Sequence, residues 1–251
     1  MNDTNNKTYG HQIIYIPKTK SKFRKIYIPN ESLAQKLLMF HDSLKSIYMA
    51  YKVYDCDHAF FSGRNCVTNA SMHINNRYVL TVDLENFFDT LTVKHLKKRI
   101  PDEILSLIII DGHIPQGFST SPFVANIAMI DFDKTLVELM SALNKGIVYS
   151  RYADDLTFSF NDKELKDLVM SELAKTCHYF GFKIHPKKIK FQDKQNGRAI
   201  ITGVGVSMYN VHPTRETLKR LRAARHQNND MGTQGLAEWA MCKLPKDYVK
   251  A

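Results

Sequence analysis

Residues 147–160 read IVYSRYADDLTFSF and carry the clearest structural signal in this chain. Apolar and aromatic residues lie on either side of an Ala-Asp-Asp turn at residues 153–155, a pattern that predicts two β-strands in a hairpin. A third carboxylate, Asp83, comes near the end of another strand-like run, YVLTVDL at residues 78–84. Three carboxylates at one sheet edge would repel and raise one another's pKa, and a divalent cation would remove that conflict. An Asp-Asp pair by itself is more often an ordinary acidic turn.

Length and composition exclude several classes of protein. The chain has 251 residues, of which 44% are hydrophobic, so it can bury a core and is not disordered. No apolar run approaches the roughly 18 residues of a membrane span. Residues 1–12 lack the apolar core of a signal peptide, so we expect a cytoplasmic protein without a membrane partner. The four cysteines show no CxxC spacing, which argues against a zinc site or a disulfide framework and fits a reducing cytosol.

The positive charge is concentrated in two segments. The chain carries 35 Lys plus Arg against 25 Asp plus Glu, a formal charge of +10. Five of the eight residues 18–25 are basic, and residues 183–225 contain eleven basic residues against two acidic ones. Basic ends around a more acidic centre could hold a phosphate backbone around a carboxylate site. Taken alone, either segment is better explained as a solvated face.

The remaining pattern predicts a mixed α+β chain. HQIIYIP at residues 11–17 and FRKIYIP at residues 23–29 are β-rich runs that predict a hairpin. Apolar residues recur at spacings of three and four across residues 33–47, which predicts one amphipathic helix. Further helical patterns cover residues 120–140, 163–179 and 214–225, and strand-like runs fall within residues 182–207.

Five motifs, taken in chain order, resemble those of reverse transcriptases. They are VDLENFF at residues 82–88, IPQGFSTSPFVANI at 114–127, YADD at 152–155, GFKIHPKKIKF at 181–191 and ITGVGVS at 201–207. In that family they resemble, in turn, the first palm motif, the Pro-Gln-Gly motif, the YxDD motif, the fourth motif and the primer-grip hairpin. Five motifs in one order are far more specific than YADD alone, and together they cover nearly the whole chain.

The resemblance implies an α+β, right-hand polymerase fold. Fingers would cover residues 1–78, the palm with interleaved fingers elements residues 79–207, and a short helical thumb residues 208–251. Only 26 residues follow residue 225, where the last basic pattern ends. The thumb would therefore be abbreviated for this family.

Two further features resemble retron reverse transcriptases. Asn69-Ala70-Ser71-Met72-His73 matches their NAxxH signature, and Thr202-Gly203 is close to their Val-Thr-Gly signature, with isoleucine in place of valine at residue 201. The resemblance implies an RNA-directed DNA polymerase that copies part of a cognate structured non-coding RNA into single-stranded DNA. It also implies antiphage defence with a separate effector protein.

Other interpretations stay open at this point. One is a non-retron defence-associated or intron-derived reverse transcriptase. Another, from a different class, is a non-catalytic RNA-binding scaffold with a polymerase fold. A structural role in a toxin complex would be compatible with catalysis.

The family's catalytic residues carry over to named positions. By resemblance, Asp83, Asp154 and Asp155 would bind two Mg²⁺ ions, with the backbone carbonyl of Leu84 as a further ligand. Two such ions serve in-line phosphoryl displacement. Lys188 would protonate the leaving pyrophosphate as general acid. Lys187 is its rival, because the register of the motif is loose there.

The remaining site residues would bind the deoxynucleoside triphosphate and the nucleic acid. Phe88 would be the steric gate against ribose, with Phe87 in the core. Tyr152 could face the primer end or be a structural tyrosine, and Asn69 and His73 could contact RNA or form a local packing motif. Arg64 is a further phosphate candidate. The predicted nucleotide contacts are Arg24, Lys25, Gln116 and Gly117, and the predicted thumb contacts to the duplex are Arg215, Lys219 and Arg222.

Overall fold

The computed structural model describes residues 10–19, 22–144, 146–245 and 248 as a mixed α+β fold. The strands are β1 (His11–Thr19), β2 (Lys22–Pro29), β3 (Tyr78–Asp83), β4 (Val148–Tyr152), β5 (Asp155–Phe160), β6 (Lys190–Asp193), β7 (Ala199–Ile201), β8 (Val204–Val206) and β9 (Val211–Pro213). The helices are α1 (Glu31–Met39), α2 (His41–Tyr51), α3 (Cys66–Ser71), α4 (Phe87–Thr90), α5 (Val93–Leu96), α6 (Asp102–Ile108), α7 (Ser121–Leu143), α8 (Leu165–Phe180), α9 (Arg215–His226) and α10 (Asp230–Ala240). Across these described residues, none of the helices combines the length and the hydropathy that a membrane span requires.

The chain divides into two compact units. The first comprises the described residues of Met1–Val53 and Asn86–Asp131, and the second those of Tyr54–Glu85 and Phe132–Ala251. Residues 54–78, which the resemblance assigns to the fingers, cluster with the palm strands. The described residues of the predicted thumb belong to the same second unit.

The first unit begins with an antiparallel hairpin and two helices. β1 pairs with β2, as the two β-rich runs predict. The single helix predicted for residues 33–47 is wrong, because the structure has α1 and α2 meeting at Phe40. The Phe40 N–H donates to the carbonyl of Leu37 at 3.3 Å, three residues back, and this tighter bond interrupts the α-helical ladder. Leu33, Leu37 and Leu44 are nevertheless buried, so the predicted apolar stripe survives the break.

The second unit is built on a four-stranded antiparallel sheet. Its strand order is β4-β5-β3-β6. β3 and β5 are buried along almost their whole length, as expected for strands with continuous apolar runs. A three-stranded sheet, β7-β8-β9, belongs to the same unit. The side chains of α3 share one apolar cluster with β7 and β8, and Tyr152 packs against that cluster.

A buried ion pair fastens β4 to α7. Arg151 has 0% exposure, and its Nη2 lies 2.7 Å from Oδ2 of Asp133, while its Nε lies 2.9 Å from Oδ1. The hydroxyl of Tyr149 donates to the same Oδ1 at 2.9 Å. Burial alone would lower the pKa of Arg151, but the Asp133 carboxylate raises it, so the guanidinium stays charged. The pair therefore holds the strand that leads into the Ala-Asp-Asp turn.

A directional chain of buried polar side chains crosses β4 and β5. The Ser150 hydroxyl donates its only proton to Oδ1 of Asn69 at 2.6 Å, because an amide oxygen can only accept. The same hydroxyl must therefore accept from Nε2 of His73 at 2.7 Å. His73 Nδ1 is then an acceptor for the hydroxyl of Ser159 at 2.8 Å, and Asn76 Nδ2 donates to Ser159 Oγ at 3.1 Å. These directions assign His73 the neutral Nε2–H tautomer. Burial lowers the pKa of His73 to about 3.

Replacing Asp133 by Asn should destabilise the fold strongly. The change removes the carboxylate that is hydrogen-bonded to the buried Arg151 guanidinium, which costs about 3–5 kcal/mol. Urea unfolding measures the loss. The control is Glu172→Gln, which breaks the exposed Lys175–Glu172 pair and should change stability by less than about 1 kcal/mol. A loss below about 1 kcal/mol for Asp133→Asn would contradict the role given to this pair.

His73 should make the fold acid-sensitive. The unfolded chain protonates this histidine near pH 6.5 and the folded chain only near pH 3, so the unfolded state binds more protons between these values. Stability should fall with decreasing pH, by about 2 kcal/mol from His73 between pH 7 and pH 5. Urea unfolding at both pH values tests this, because His73→Gln should remove that part of the pH dependence. The exposed-site control His226→Gln should retain it, and equal pH dependence in all three proteins would refute the assignment.

Candidate active site

Sheet pairing brings the three aspartates to one edge. Asp83 ends β3 and lies opposite Asp155, the first residue of β5. Asp154 is in the turn between β4 and β5, and its carbonyl accepts the Leu84 N–H at 3.0 Å, which ties the turn to the end of β3. Ala153 has φ of 56°, a left-handed conformation that costs a non-glycine residue about 1–2 kcal/mol. The hairpin thus holds the two adjacent carboxylates in a strained turn beside Asp83.

The charges of these carboxylates interact. The pKa of Asp155 is raised to about 6, first by burial and then by the neighbouring Asp154 and Asp83. Lys188 and Lys190 act in the opposite direction. The site therefore resists full ionisation until further positive charge is supplied.

Lys188 supplies part of that positive charge. Its Nζ lies 2.6 Å from Oδ2 of Asp83. Burial alone would lower the pKa of Lys188, but its hydrogen bond to Asp83 raises it. The 3₁₀ turn Pro186–Lys188 that carries it is fixed to β3 because the His185 N–H donates to the Asp83 carbonyl at 2.8 Å. Of the two rival lysines, Lys188 is the one whose ammonium group is hydrogen-bonded to one of the three carboxylates, Asp83.

The donor set suits a hard divalent cation. Within the described ranges, no three His, Cys, Asp or Glu side chains already have the spacing of an assembled metal site, and Asp83 is engaged by Lys188. Mg²⁺ nevertheless takes oxygen ligands and usually needs only one or two carboxylates besides water and substrate phosphates. Asp83, Asp154 and Asp155 meet that requirement, and the raised pKa of Asp155 marks a place where a cation would relieve repulsion.

A cavity of about 310 Å³ opens beside the carboxylates. Asp83, Asp155 and Lys188 line it, and so do Thr202 and Gly203 of the β7–β8 turn. Five other lining residues were not predicted from the sequence as part of the site, namely Thr81, Val82, Thr157, Lys190 and Ile200. Two of them were accessible to sequence reasoning, since Thr81 and Thr157 are two positions from Asp83 and Asp155 and strand side chains repeat with a period of two.

In the first unit, the Pro-Gln-Gly loop is fastened to β2. The Tyr27 N–H donates to the carbonyl of Gln116 at 2.7 Å. Gly117 has φ of 115°, and a Cβ there would lie 2.3 Å from the Tyr27 carbonyl oxygen, so only glycine fits. Arg24 is exposed, whereas Lys25 Nζ lies 2.8 Å from Oδ2 of Asp111. That contact and Tyr27 raise the pKa of Lys25.

The two phenylalanines of α4 differ in burial. Phe87 is buried and Phe88 is half-buried, with ring centroids 5.4 Å apart. This division matches the one predicted for a core residue and an accessible gate. The role of Phe88 as a gate stays a prediction.

Four predicted nucleic-acid contacts have structural roles within the second unit. Asn69 and His73 each have 0% exposure and bond to Ser150, which favours the packing alternative over RNA contact. Arg64 donates to the carbonyl of Asp57 at 2.8 Å and also pairs with Asp55. Tyr152 is half-buried against the apolar cluster of α3, and burial raises its pKa.

The basic helix α9 keeps its predicted form. Its buried residues are Thr217, Leu221 and Ala224, a stripe at helical spacing. The hydroxyl of Thr214 accepts the Thr217 N–H at 3.2 Å and caps the helix. Three predicted duplex contacts are exposed outside the stripe, namely Arg215, Lys219 and Arg222.

Comparison with sequence relatives places this arrangement in a family. Residues 16–201 match the family model described as reverse transcriptase (RNA-dependent DNA polymerase). The retron Ec73 reverse transcriptase of Escherichia coli is 29% identical over 214 residues, which are 76% of this chain and 67% of that enzyme. The retron Mx65 reverse transcriptase of Myxococcus xanthus is 30% identical over 200 residues, which are 68% of this chain and 45% of that enzyme. The chain thus spans about half to two thirds of the length of these relatives.

Solved structures agree on the fold. An apo telomerase from Candida Tropicalis, truncated from its C-terminal domain, matches with a TM-score of 0.59 at 14% identity over 82% of this chain and 55% of that chain. A second apo telomerase structure from the same organism gives 0.61 at 13% identity, over 81% and 47% of the two chains. Identities this low show the fold alone, the α+β fold of right-hand polymerases. The chain belongs to the reverse transcriptase family of RNA-dependent DNA polymerases, and it is similar to the retron reverse transcriptases within that family.

Proposed function

We propose that this chain copies part of a cognate structured non-coding RNA into single-stranded DNA by two-metal nucleotidyl transfer. The observation that carries the proposal is the register of β3 on β5, which sets Asp83 opposite Asp155 beside the turn that holds Asp154. Enzymes of this family generally use divalent metal ions. The oxygen donors and the raised pKa of Asp155 support two Mg²⁺ ions at this edge.

Each residue of the site has a proposed task. Asp83 and Asp154 would hold the two ions, Asp155 would support them, and the Leu84 carbonyl would be a further ligand. Such ions, when bound, lower the pKa of the attacking hydroxyl and stabilise charge on the leaving group. Lys188 neutralises Asp83 in the free protein. Once released from Asp83, it donates a proton to the departing pyrophosphate.

The first unit supplies the proposed nucleotide contacts. Arg24 binds the triphosphate, since guanidinium suits bidentate phosphate contact, and Lys25 adds positive charge beside it. Gln116 and Gly117 lie against the deoxynucleoside triphosphate and template. Phe88 excludes the ribose 2′-OH, the group that distinguishes ribonucleotides from deoxyribonucleotides.

Helix α9 supplies the proposed duplex contact. Arg215, Lys219 and Arg222 bind phosphates of the RNA–DNA product, a contact that positions the duplex without reading sequence. We further propose that the protein acts in the cytoplasm, in antiphage defence together with a separate effector protein. The nucleic acid that co-purifies with the chain tests the RNA assignment. Sensitivity of that nucleic acid to both ribonuclease and deoxyribonuclease is the expected result, and protein free of nucleic acid would count against it.

Asp154→Asn should abolish polymerisation. Loss of a metal-binding carboxylate should reduce Mg²⁺-dependent DNA synthesis on the RNA of the same locus by about 10³-fold or more, because charge stabilisation carries most of this catalysis. Primer extension with labelled nucleotides measures the rate. The matched control is Asp167→Asn, whose side chain is exposed on α8, and it should keep the wild-type rate. Wild-type protein that polymerises no better than Asp154→Asn, while RNA binding persists in both, would establish the non-catalytic scaffold instead.

Substitution of Lys188 should impair catalysis, whereas substitution of the neighbouring Lys187 should not. Lys188→Gln removes the proposed acid and should lower kcat about 10²-fold with little change in the KM for nucleotide, because the proton is needed only as pyrophosphate leaves. Lys187→Gln is the neighbouring control and should remain near wild type. Steady-state extension kinetics at several pH values measure both. The opposite result, a loss confined to Lys187→Gln, would transfer the role to Lys187.

A further inference from the structure

We infer that helix α3 is a positioning element for the reaction, and that it acts through the contact of its Asn69 with Thr202 of the β7–β8 turn. Through these two side chains it holds the β7–β8 turn, which lines the carboxylate cavity, in register with the catalytic hairpin β4–β5. This inference deepens the proposed polymerase function and rests on it. Its basis is one set of contacts, all within the second unit.

The β7–β8 turn has an unfavourable residue at its first central position. Thr202 has φ of 44° and Gly203 has φ of 81°, so both central residues are left-handed. Glycine, asparagine and aspartate suit such turns, whereas a β-branched residue with positive φ is an outlier. Some interaction specific to threonine must offset this strain.

The hydroxyl of Thr202 is the group that α3 holds. Thr202 Oγ1 donates to the carbonyl of Cys66 at 3.3 Å and accepts from Nδ2 of Asn69 at 3.4 Å. The other end of the same Asn69 amide, Oδ1, accepts from Ser150 of β4 at 2.6 Å. One buried side chain thus bonds to the turn and to a strand of the catalytic hairpin. Its 0% exposure means that Asn69 acts by positioning and not by touching nucleic acid.

The rest of the β7–β8 hairpin is fastened to the same segment. Cys66, Val67 and Ala70 of α3 share an apolar cluster with residues of β7 and β8. At the open end of the hairpin, Lys194 Nζ donates to the carbonyls of His73 at 2.7 Å and Ser207 at 3.0 Å. The position of the turn is therefore set by its fastening to α3 and the residues that follow it.

The functional consequence follows from what the turn lines. Thr202 and Gly203 face a cavity that Asp83 and Asp155 also line. A shift of the turn would change how the end of the growing DNA strand sits relative to those carboxylates. A hydroxyl attacking phosphorus needs near-contact geometry, so small displacements lower the rate steeply. The two sequence signatures at residues 69–73 and 201–203 thus meet in the hydrogen bond between Asn69 and Thr202.

Substitutions at Thr202 test the inference in single-turnover primer extension with saturating primer–template. Thr202→Val keeps the shape and the strain but removes the hydroxyl, and it should lower the extension rate about 10-fold. Thr202→Ser restores the hydroxyl and should recover most of the rate. Thr202→Gly relieves the left-handed strain, and it should match Thr202→Val in rate without a lower melting temperature. The control is Thr176→Val. Thr176 is a buried residue of α8 whose hydroxyl donates to the backbone carbonyl of Glu172, and this variant should keep the wild-type rate.

A double-mutant cycle then tests the link to α3. If Asn69 acts through Thr202, Asn69→Ala combined with Thr202→Val should cost little more than Asn69→Ala alone. Rates of Thr202→Val and Thr202→Gly equal to wild type would overturn the inference, as would losses that multiply in the double variant. Wild-type protein without DNA synthesis would instead overturn the proposed polymerase function. Active wild type with unaffected Thr202 variants would leave that function intact and remove only the positioning role.

Discussion

The second unit depends on the register of β3 against β5. In an antiparallel sheet a slip of one residue turns every side chain to the other face. The observed register buries the apolar residues of both strands and leaves Asp83 and Asp155 opposite each other at the end. Placing two like charges there is unfavourable: burial raises the pKa of Asp155 most, and the neighbouring Asp154 and Asp83 raise it further. The apolar burial that fixes the register therefore also enforces the carboxylate pair.

The hairpin that presents Asp154 is stiffened on its buried side. Arg151 bonds Asp133 of α7, and the adjacent Ser150 bonds Asn69 of α3. Two consecutive residues of β4 are thus tied to two different helices, just before the turn. This arrangement explains how Ala153 can be kept in a left-handed conformation, because strain persists only where surrounding contacts over-determine it.

Sequence reasoning predicted the elements whose signals are local. The β4–β5 hairpin follows from apolar runs around a turn, and the positions of the three aspartates at strand ends are equally local. Their assignment to a metal site needed the resemblance to reverse transcriptases, because an Asp-Asp pair by itself predicts only a turn. The break at Phe40 could not, since the apolar spacing continues through it. The choice between RNA contact and packing for Asn69 and His73 also needed the fold. Asn69 bonds to residues 81 and 133 positions away along the chain, and His73 to residues 77 and 86 positions away. No local sequence pattern encodes contacts over such sequence separations.

The contact between Lys188 and Asp83 has a consequence for how the protein is made. Because an ammonium group sits 2.6 Å from the most buried of the three acids, the chain brings its own counter-ion and can assemble this corner of the sheet before any metal arrives. Under the proposed function, loading a divalent cation would then be an exchange, in which an incoming charge displaces the tethered ammonium group.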